Sequence, residues 1–308
     1  MAAAVPVKAA TASADGLARC RRPCGPAGAV VFAGRMDPVG AADAPRTWHY
    51  GVVAQWWAEF SAGGPEIACF RALIDRYGQP ALDVACGTGR LLLPYLRDGL
   101  DVDGCDISPD MLAWCRSRAR QLGLAPALYR QAMHELDLPR AYRTVYVCGG
   151  FGIGGNRDHD QEALRRFWDH LRPGGALVMD THLPYRDART WQYWVKDNRR
   201  ALPEAPPPPP HPRAAADGSD LDLSARVVDL DPLAQVITRE MRARRWRHGH
   251  LEADEHHTLK ETLYFRNELL MMLQQAGFGR IHVEGGYEHA EPTRDSDILV
   301  FIAHKPPD

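Results

Sequence analysis

The 308-residue sequence lacks three features: a long uninterrupted apolar run, a Cys-x-x-Cys pair and a strong excess of one charge. A membrane-spanning helix needs about 20 mostly apolar residues in succession, so the sequence predicts no such helix. Its 37 basic and 39 acidic side chains give a net charge of −2, which provides no strong attraction to nucleic acid or to an anionic membrane. We therefore expect neither of these partners.

Cysteine usage indicates the setting of the protein. The seven cysteines are odd in number and scattered, which argues against a disulfide framework and favours a reducing, cytoplasmic environment. Without a paired-cysteine motif, a structural zinc site is not expected. The adjacent His256 and His257 also lack the helical spacing of metal ligands, so we predict no metal. A composition of 45% hydrophobic and 25% charged residues is that of an ordinary globular protein.

The chain divides into five predicted segments. Residues 1–45 are rich in Ala, Gly and Pro, mostly basic and without periodicity, so we interpret them as a disordered extension. Such an extension is either a transit peptide or a leader upstream of a true start at Met36. The remaining segments are a core at 46–200, a Pro-rich linker at 201–219, an antiparallel insertion at 220–263 and the C-terminal part of the core sheet at 264–305.

Strand and helix patterns alternate through the core, which is typical of a parallel sheet covered by helices on both faces. Core strands are predicted at 81–85, 101–105, 127–131, 143–148, 176–180, 280–285 and 297–304. Helices are predicted at about 50–60, 90–98, 109–122, 159–171 and 267–276, and a further helix is predicted to open at Pro65, with an apolar stripe that reaches Ile74. Three antiparallel strands are predicted in the insertion, at 221–230, 234–247 and 250–263.

The most informative segment is Ala81–Arg90, with the sequence ALDVACGTGR. A short apolar strand leads through Gly87 and Gly89 into a helix, and glycines let the backbone turn sharply and approach a ligand closely. The helix N-terminus that follows presents free N–H groups. The next strand ends in Asp106, whose carboxylate can bind two ribose hydroxyls, and Ser108 then caps a second helix.

These features resemble the class I methyltransferases that depend on S-adenosylmethionine (SAM), whose first motif runs acid-x-Gly-x-Gly-x-Gly. Ala85 stands where that motif has its first glycine. The resemblance covers about residues 48–305 and includes the segments 171–176 (LRPGGA) and 276–278 (AGF). It implies SAM as the cofactor. With the strand pattern, it implies a Rossmann-like, doubly wound α/β sheet of seven strands, the last antiparallel, and a three-stranded antiparallel insertion on the acceptor side.

The resemblance also implies a set of cofactor-binding positions. They are Tyr50, Asp83, Ala85, Cys86, Gly87, Gly89, Arg90, Asp106, Ile107, Met111, Ala132, Met133, Cys148 and Gly149. Asp106 would bind the ribose and Asp83 the amino group of SAM, and Cys148 and Gly149 would border the sulfonium. Arg90 would pair with the SAM carboxylate or remain a solvated arginine at a helix start.

The acceptor side carries fewer signals. His182 follows the fifth predicted strand, where acceptor loops lie, and is the candidate general base, with an ordinary loop histidine as the alternative. His134 and Glu135 are further candidates after the third strand. Tyr50 would stack over the cofactor or pack against its own helix. Three aromatic residues would line an acceptor pocket or belong to the core: Trp191, Tyr193 and Trp194.

A competing motif favours a different enzyme class. Gly150–Gly155 matches G-x-G-x-x-G, and Asp180 ends the next strand, as in an NAD(P)-dependent oxidoreductase. However, Asp158 and Asp160 at the start of the following helix would repel a pyrophosphate, so we interpret the loop as the floor of the acceptor site. A SAM-binding module without catalysis is the second alternative. We predict a methyltransferase acting on a nitrogen or oxygen of a small molecule, with an insertion that could also form a homodimer contact.

Three local patterns carry expectations of their own. Pro94 removes a backbone hydrogen bond, so the helix after the glycine loop should begin late or bend. The prolines between residues 203 and 213 predict a stiff exposed connector, with an SH3-type ligand as the alternative. The arginines between residues 239 and 247 precede a stretch of acidic and histidine residues at 252–257, which predicts cross-strand ion pairs, with a nucleic-acid surface as the alternative.

Overall fold

The computed structural model describes residue 47, residues 49–61 and residues 63–307. The predicted extension at residues 1–45, with its two alternative explanations, lies outside the described residues. Within the described part of the chain, no helix combines the length and the apolar character needed to cross a membrane.

The helices of the described residues follow the predicted order. They are α1 (Gly51–Phe60), α2 (Glu66–Tyr77), α3 (Leu92–Arg97), α4 (Pro109–Gln121), α5 (Arg157–His170), α6 (Ala188–Trp191), α7 (Lys196–Arg199) and α8 (Arg266–Gln275). Short 3₁₀ turns occupy Met133–Glu135, Pro184–Arg186 and Gln192–Trp194. Helix α3 begins late, as Pro94 predicts, so this proline lies in the first turn, where its missing N–H leaves no bond unmade.

The strands form two sheets. They are β1 (Ala81–Val84), β2 (Val102–Asp106), β3 (Leu128–Arg130), β4 (Tyr142–Val147), β5 (Leu171–His182), β6 (Arg213–Ala214), β7 (Asp220–Asp231), β8 (Val236–Arg247), β9 (His250–Thr262), β10 (Ile281–Gly285) and β11 (Ile298–His304). The larger sheet has the order β10-β11-β5-β4-β1-β2-β3. Strands β1 to β5 are parallel, and β11 lies antiparallel between β10 and β5. The predicted Rossmann-like sheet with an antiparallel last strand is thereby confirmed.

The smaller sheet has one strand more than the three predicted. Its order is β6-β7-β8-β9, and Arg213 of β6 pairs with Leu221 of β7. Strand β6 lies inside the stretch predicted to be a linker. The Pro-rich run ends at Pro212, so the next two residues have backbone N–H groups and can join a sheet edge.

The central strand β1 separates two apolar layers. Leu82 and Val84 pack in one cluster with Phe167 of α5, whereas Ala81 packs in a second cluster with Phe70 of α2. Successive residues of a strand point to opposite faces, which explains this division. Both faces of β1 are therefore buried, and its carboxyl end is held in place from two sides.

The predicted cross-strand ion pairs are present in the smaller sheet. Arg242 donates two hydrogen bonds to Asp254 of the next strand, and Arg245 donates to Glu252. The guanidinium of Arg244 contacts the carboxylate of Asp222, whose relative exposure is only 1%. These arginines are therefore occupied by partners within the same sheet.

Candidate functional site

A cavity of about 560 Å³ opens at the carboxyl ends of β1, β2 and β4. Crevices at this edge of an open α/β sheet are where ligands bind, and the volume lies in the range of small-molecule pockets, roughly 300–1,000 Å³. Most of the predicted cofactor residues line it. They are Asp83, Ala85, Cys86, Gly87, Arg90, Asp106, Ile107, Met111, Ala132, Met133, Cys148 and Gly149.

Tyr50 and Gly89 are not among the lining residues. The Tyr50 ring packs edge-on against His257 of β9, with 4.4 Å between ring centroids, and not against its own helix. Its role toward the cofactor stays a prediction. Gly89 has a φ of +83°, and a Cβ added there would lie 2.7 Å from a carbon of Leu93 and 2.8 Å from Cys115 Sγ. Glycine at this position therefore allows the turn to pack against its own helix and α4 rather than against a ligand.

The backbone after β1 turns in the left-handed region. Ala85 has a φ of +59° and Gly87 a φ of +55°. Ala85, at the position of the family's first glycine, thus adopts the conformation that favours glycine. After β4, Gly149 has a φ of +66°, and a Cβ added there would meet no atom within 4 Å. Gly149 lines the cavity, so a side chain at this position would occupy part of the space that a ligand could fill.

The Asp106 carboxylate is held in place by two backbone groups. The Gly87 N–H donates to Oδ2 at 2.9 Å, and the Ser108 N–H donates to Oδ1 at 2.8 Å. Burial raises the pKa of Asp106, while these two hydrogen bonds oppose the rise by favouring the charged form. Ser108 also caps α4 as predicted, because its Oγ accepts from the Met111 N–H at 3.2 Å. Each Asp106 oxygen retains lone-pair capacity for a further donor, and the residue lines the cavity.

A second acidic side chain and an arginine lie at the end of the cavity nearest β1. Asp83 is 3% exposed, and burial raises its pKa well above the ordinary value. Arg90 forms an ion pair with Glu66 of α2 and lies 3.7 Å from Cys148 Sγ. The guanidinium is therefore a partly buried, paired group and not a solvated one, although it still lines the cavity.

Asp180 supports the backbone beside the cavity, and the sequence analysis considered it only for a dinucleotide site. It accepts hydrogen bonds from the Gly149 N–H at 2.6 Å, from the Tyr287 hydroxyl and from Cys148 Sγ at 3.6 Å. These contacts fix the backbone that leaves β4, beside the cavity. A carboxylate directly after the apolar run 176–179 of β5 was the available signal.

His182 lines the cavity as predicted, but it is the last residue of β5 and not a loop residue. Burial lowers its pKa, Arg186 lowers it further and Asp180 opposes the shift, so the imidazole is neutral near neutral pH. The aromatic candidates lie elsewhere. Tyr193 is buried in an apolar cluster, and Trp191 and Trp194 pack around Phe265, so none of the three lines the cavity.

The loop Gly150–Gly155 lies between the cavity and the smaller sheet. Gly154 donates to the Lys260 carbonyl at 2.8 Å, and the Gly152 carbonyl accepts from Thr262 at 2.8 Å. The N-terminus of α5 is capped by the Asn156 side chain, which accepts from the N–H groups of Asp158 and His159. A pyrophosphate would meet a capped helix with two acids in its first turn, which disfavours the dinucleotide alternative.

Polar residues at the start of α5 also line the cavity, and the sequence analysis assigned them no role there. They are Asn156, His159 and Asp160. The His159 ring stacks on the ring of His134, with centroids 3.8 Å apart and planes 11° apart. Glu135, the other candidate after β3, is not among the lining residues.

A possible set of metal ligands lies outside the cavity. Within the described residues, ligand atoms of Cys69, Glu284 and His289 all lie within 4.8 Å of one another. The Glu284 carboxylate lies 2.8 Å from His289 Nδ1, and this pairing accounts for the proximity of the two groups without an ion. The expected absence of a metal stays a prediction.

The residues of the cavity fit SAM. Asp106 offers two anchored oxygens for vicinal hydroxyls, and Asp83 offers a buried carboxylate for an amino group. Ile107, Met111 and Met133 supply apolar walls that suit a purine. The open space at Gly149 and the total volume leave room for a ligand of this size.

Comparisons with known proteins agree with this geometry. A family model described as a methyltransferase domain matches residues 81–175. The chain is 36% identical over 122 residues to the dTDP-3-amino-3,6-dideoxy-alpha-D-glucopyranose N,N-dimethyltransferase of Streptomyces fradiae, covering 37% of this chain and 45% of that protein. The chain spans about half the length of the curated relatives it matches.

Solved structures share the fold. A SAM-dependent methyltransferase from Clostridium acetobutylicum superposes with a TM-score of 0.62 at 14% identity, covering 82% of this chain and 96% of that one. The sugar N-methyltransferase KedS8 from Streptoalloteichus superposes with a TM-score of 0.61 at 19% identity, covering 88% and 99%. Residues 81–175 therefore match a methyltransferase domain, and the described residues share the fold of these SAM-dependent methyltransferases.

Proposed function

We propose that the chain transfers a methyl group from SAM to a nitrogen or oxygen of a small-molecule acceptor by in-line displacement. The observation that carries the proposal is the cavity across the carboxyl ends of β1 and β2, with the Asp106 carboxylate anchored by the Gly87 and Ser108 N–H groups. A carboxylate already held by its own backbone needs no rearrangement to bind a ribose.

Bound SAM supplies a methyl group attached to a positively charged sulfur. Asp106 would hold the sugar and Asp83 the amino group, while Ile107 and Met111 would lie against the base. Asp180 fixes Gly149 and Cys148, which would border the reacting end of the cofactor. Positioning of two reactants in this way can supply about 7–11 kcal/mol of the barrier reduction. No covalent intermediate with the protein is required.

Nitrogen is the acceptor atom that we favour. Two relatives are named as N,N-dimethyltransferases of amino sugars, one from Streptomyces fradiae and one from Streptomyces venezuelae. His182 is neutral near neutral pH and lines the cavity, so it could accept the proton that an acceptor nitrogen must release. We propose His182 as the general base on this ground.

Calorimetry and turnover test the proposal. The full-length chain should bind SAM and S-adenosylhomocysteine with micromolar affinity and should not bind NADH. Methyl-labelled SAM should be turned over with at least one member of a panel of small amines and alcohols. Binding of NADH without SAM would overturn the cofactor assignment, and SAM binding without turnover of any panel member would favour the module without catalysis.

Dimerisation and cellular setting stay predictions. The insertion (β6–β9) would supply the homodimer contact, and light scattering of the purified chain should then report twice the monomer mass. A monomer at all protein concentrations tested would contradict this. A cytoplasmic location is predicted from cysteine usage and is tested by fractionation.

A further inference from the structure

The cavity extends beyond the groups that would hold SAM, along one face of α5. Asn156, His159, Asp160 and Ala163 all line it, and their spacing of three and four residues places them on the same side of the helix. Asn156 and His159 are exposed, whereas Asp160 and Ala163 are buried. We call these four residues the α5 lobe: it is open to solvent at one end and has an acid at its floor.

Resting on the function proposed above, we propose that the α5 lobe binds the acceptor and that Asp160 recognises a positively charged amine on it. Asp160 is 7% exposed, and its Oδ2 accepts a hydrogen bond from the Tyr264 hydroxyl at 2.6 Å. A carboxylate has about four lone-pair sites, so this bond leaves capacity for a ligand donor. Tyr264 fixes the direction of the carboxylate, and the lobe gives access to it.

Within the part of the chain that the structure describes, Asp160 has no cation in direct contact. Among the described residues, none of the ion pairs within 4.0 Å includes Asp160. Arg157 is the nearest candidate on the same helix, but its guanidinium binds Glu268 and Gln235 and lies over the Tyr264 ring. A buried carboxylate without a paired cation is costly, and a bound ammonium would relieve that cost through a charge-assisted hydrogen bond.

The titration of Asp160 agrees with this use. Burial raises its pKa to about 6, opposed by the hydroxyl groups of Tyr264 and Thr262 and then by the charges of Arg157 and His159. The carboxyl is therefore mainly ionised near neutral pH, where most amines are protonated. His159 and His134 form the stacked pair beside it and would limit the width of the acceptor that enters.

Matched ligands and matched variants test the proposal. The probes are three pairs that differ in an amine or a hydroxyl: D-glucosamine and D-glucose, ethanolamine and ethylene glycol, cyclohexylamine and cyclohexanol. Each is titrated by NMR saturation transfer into the full-length chain saturated with S-adenosylhomocysteine. The chain should bind at least one amine about tenfold more tightly than its alcohol, which corresponds to about 1.4 kcal/mol.

The variant Asp160→Asn should abolish this preference while leaving the affinity for S-adenosylhomocysteine within about twofold. Asp158→Asn is the control, because Asp158 is an exposed acid on the same helix turn that does not line the cavity. A preference retained in Asp160→Asn, or no preference for any amine in the unaltered chain, overturns the inference while the proposed function stands. Failure of the unaltered chain to bind S-adenosylhomocysteine would overturn the proposed function instead.

A measurement on the unaltered chain covers the case in which Asp160→Asn does not fold. The amine preference should fall as the pH drops from about 7.5 to about 5, because Asp160 gains a proton in this interval. The stacked rings of His134 and His159 also line the cavity. A preference that persists unchanged to pH 5 would contradict a role for Asp160.

Discussion

Replacing Asp106 with alanine should weaken SAM binding by about 100-fold or more. In the structure this carboxylate accepts one backbone N–H on each oxygen, and each oxygen has capacity left for one ribose hydroxyl. Hydrogen bonds to a charged group contribute about 1.5–3 kcal/mol each, so the loss of two amounts to at least about 3 kcal/mol. At about 1.4 kcal/mol per factor of ten, this corresponds to a loss of slightly more than two orders of magnitude in affinity.

The substitution also affects the folded chain. The N–H groups of Gly87 and Ser108 lose their acceptor, and an unpaired buried donor costs about 1–3 kcal/mol. The assay is therefore calorimetric titration of SAM at a temperature where thermal unfolding shows the variant to be folded. Asp110→Ala serves as the control, since Asp110 lies in the first turn of α4, close in sequence to Asp106, but its carboxylate accepts from the Gly51 N–H and does not line the cavity. A folded Asp106→Ala variant that binds SAM with unaltered affinity would refute the assigned cofactor site.

Three further predictions concern other residues. Gly149→Ala should weaken SAM binding, measured by calorimetry, because the added methyl enters the cavity. It should also lower the free energy of unfolding by about 1 kcal/mol, measured by thermal unfolding, because the backbone has a φ of +66°. If His182 is the base, kcat/KM should stay constant down to pH 6.5, the ordinary pKa of about 6.5 for histidine, and should fall only at lower pH, because burial lowers the pKa of His182. The variant His182→Gln should lose this acidic limb of the pH profile. Arg244→Leu should lower the free energy of unfolding by about 3 kcal/mol in denaturant, because it leaves the buried Asp222 carboxylate unpaired. Arg242→Leu, at the more exposed pair with Asp254, should change this free energy little.

The core of the fold was accessible to sequence reasoning because its signals are local. Ala81–Arg90 contains a strand, a glycine turn and a helix start in ten consecutive residues, and Ser108 caps α4 within three residues of its own position. Asp106 ends β2 next to β1 because parallel strands of one sheet present their carboxyl ends at the same edge. Motifs of this kind determine both the element and the position of the site.

Contacts between distant parts of the chain were not accessible in the same way. Asp160 meets Tyr264, and Asp180 meets Tyr287, across more than 100 residues of sequence in each pair. Hydrophobic periodicity predicts which face of α5 is buried, but it does not show that an acid on this face meets a cavity. The contact of Tyr50 was hidden for the same reason, because its partner His257 lies on β9, about 200 residues later in the sequence.

A crystal structure of the full-length chain with S-adenosylhomocysteine tests the account most directly. We expect the adenosine to lie across the carboxyl ends of β1 and β2, both ribose hydroxyls to donate to Asp106, and the amino-acid part to lie against the loop that contains Gly87. A ligand bound at any other position, or a carboxylate of Asp106 that makes no contact with the ribose, would contradict it.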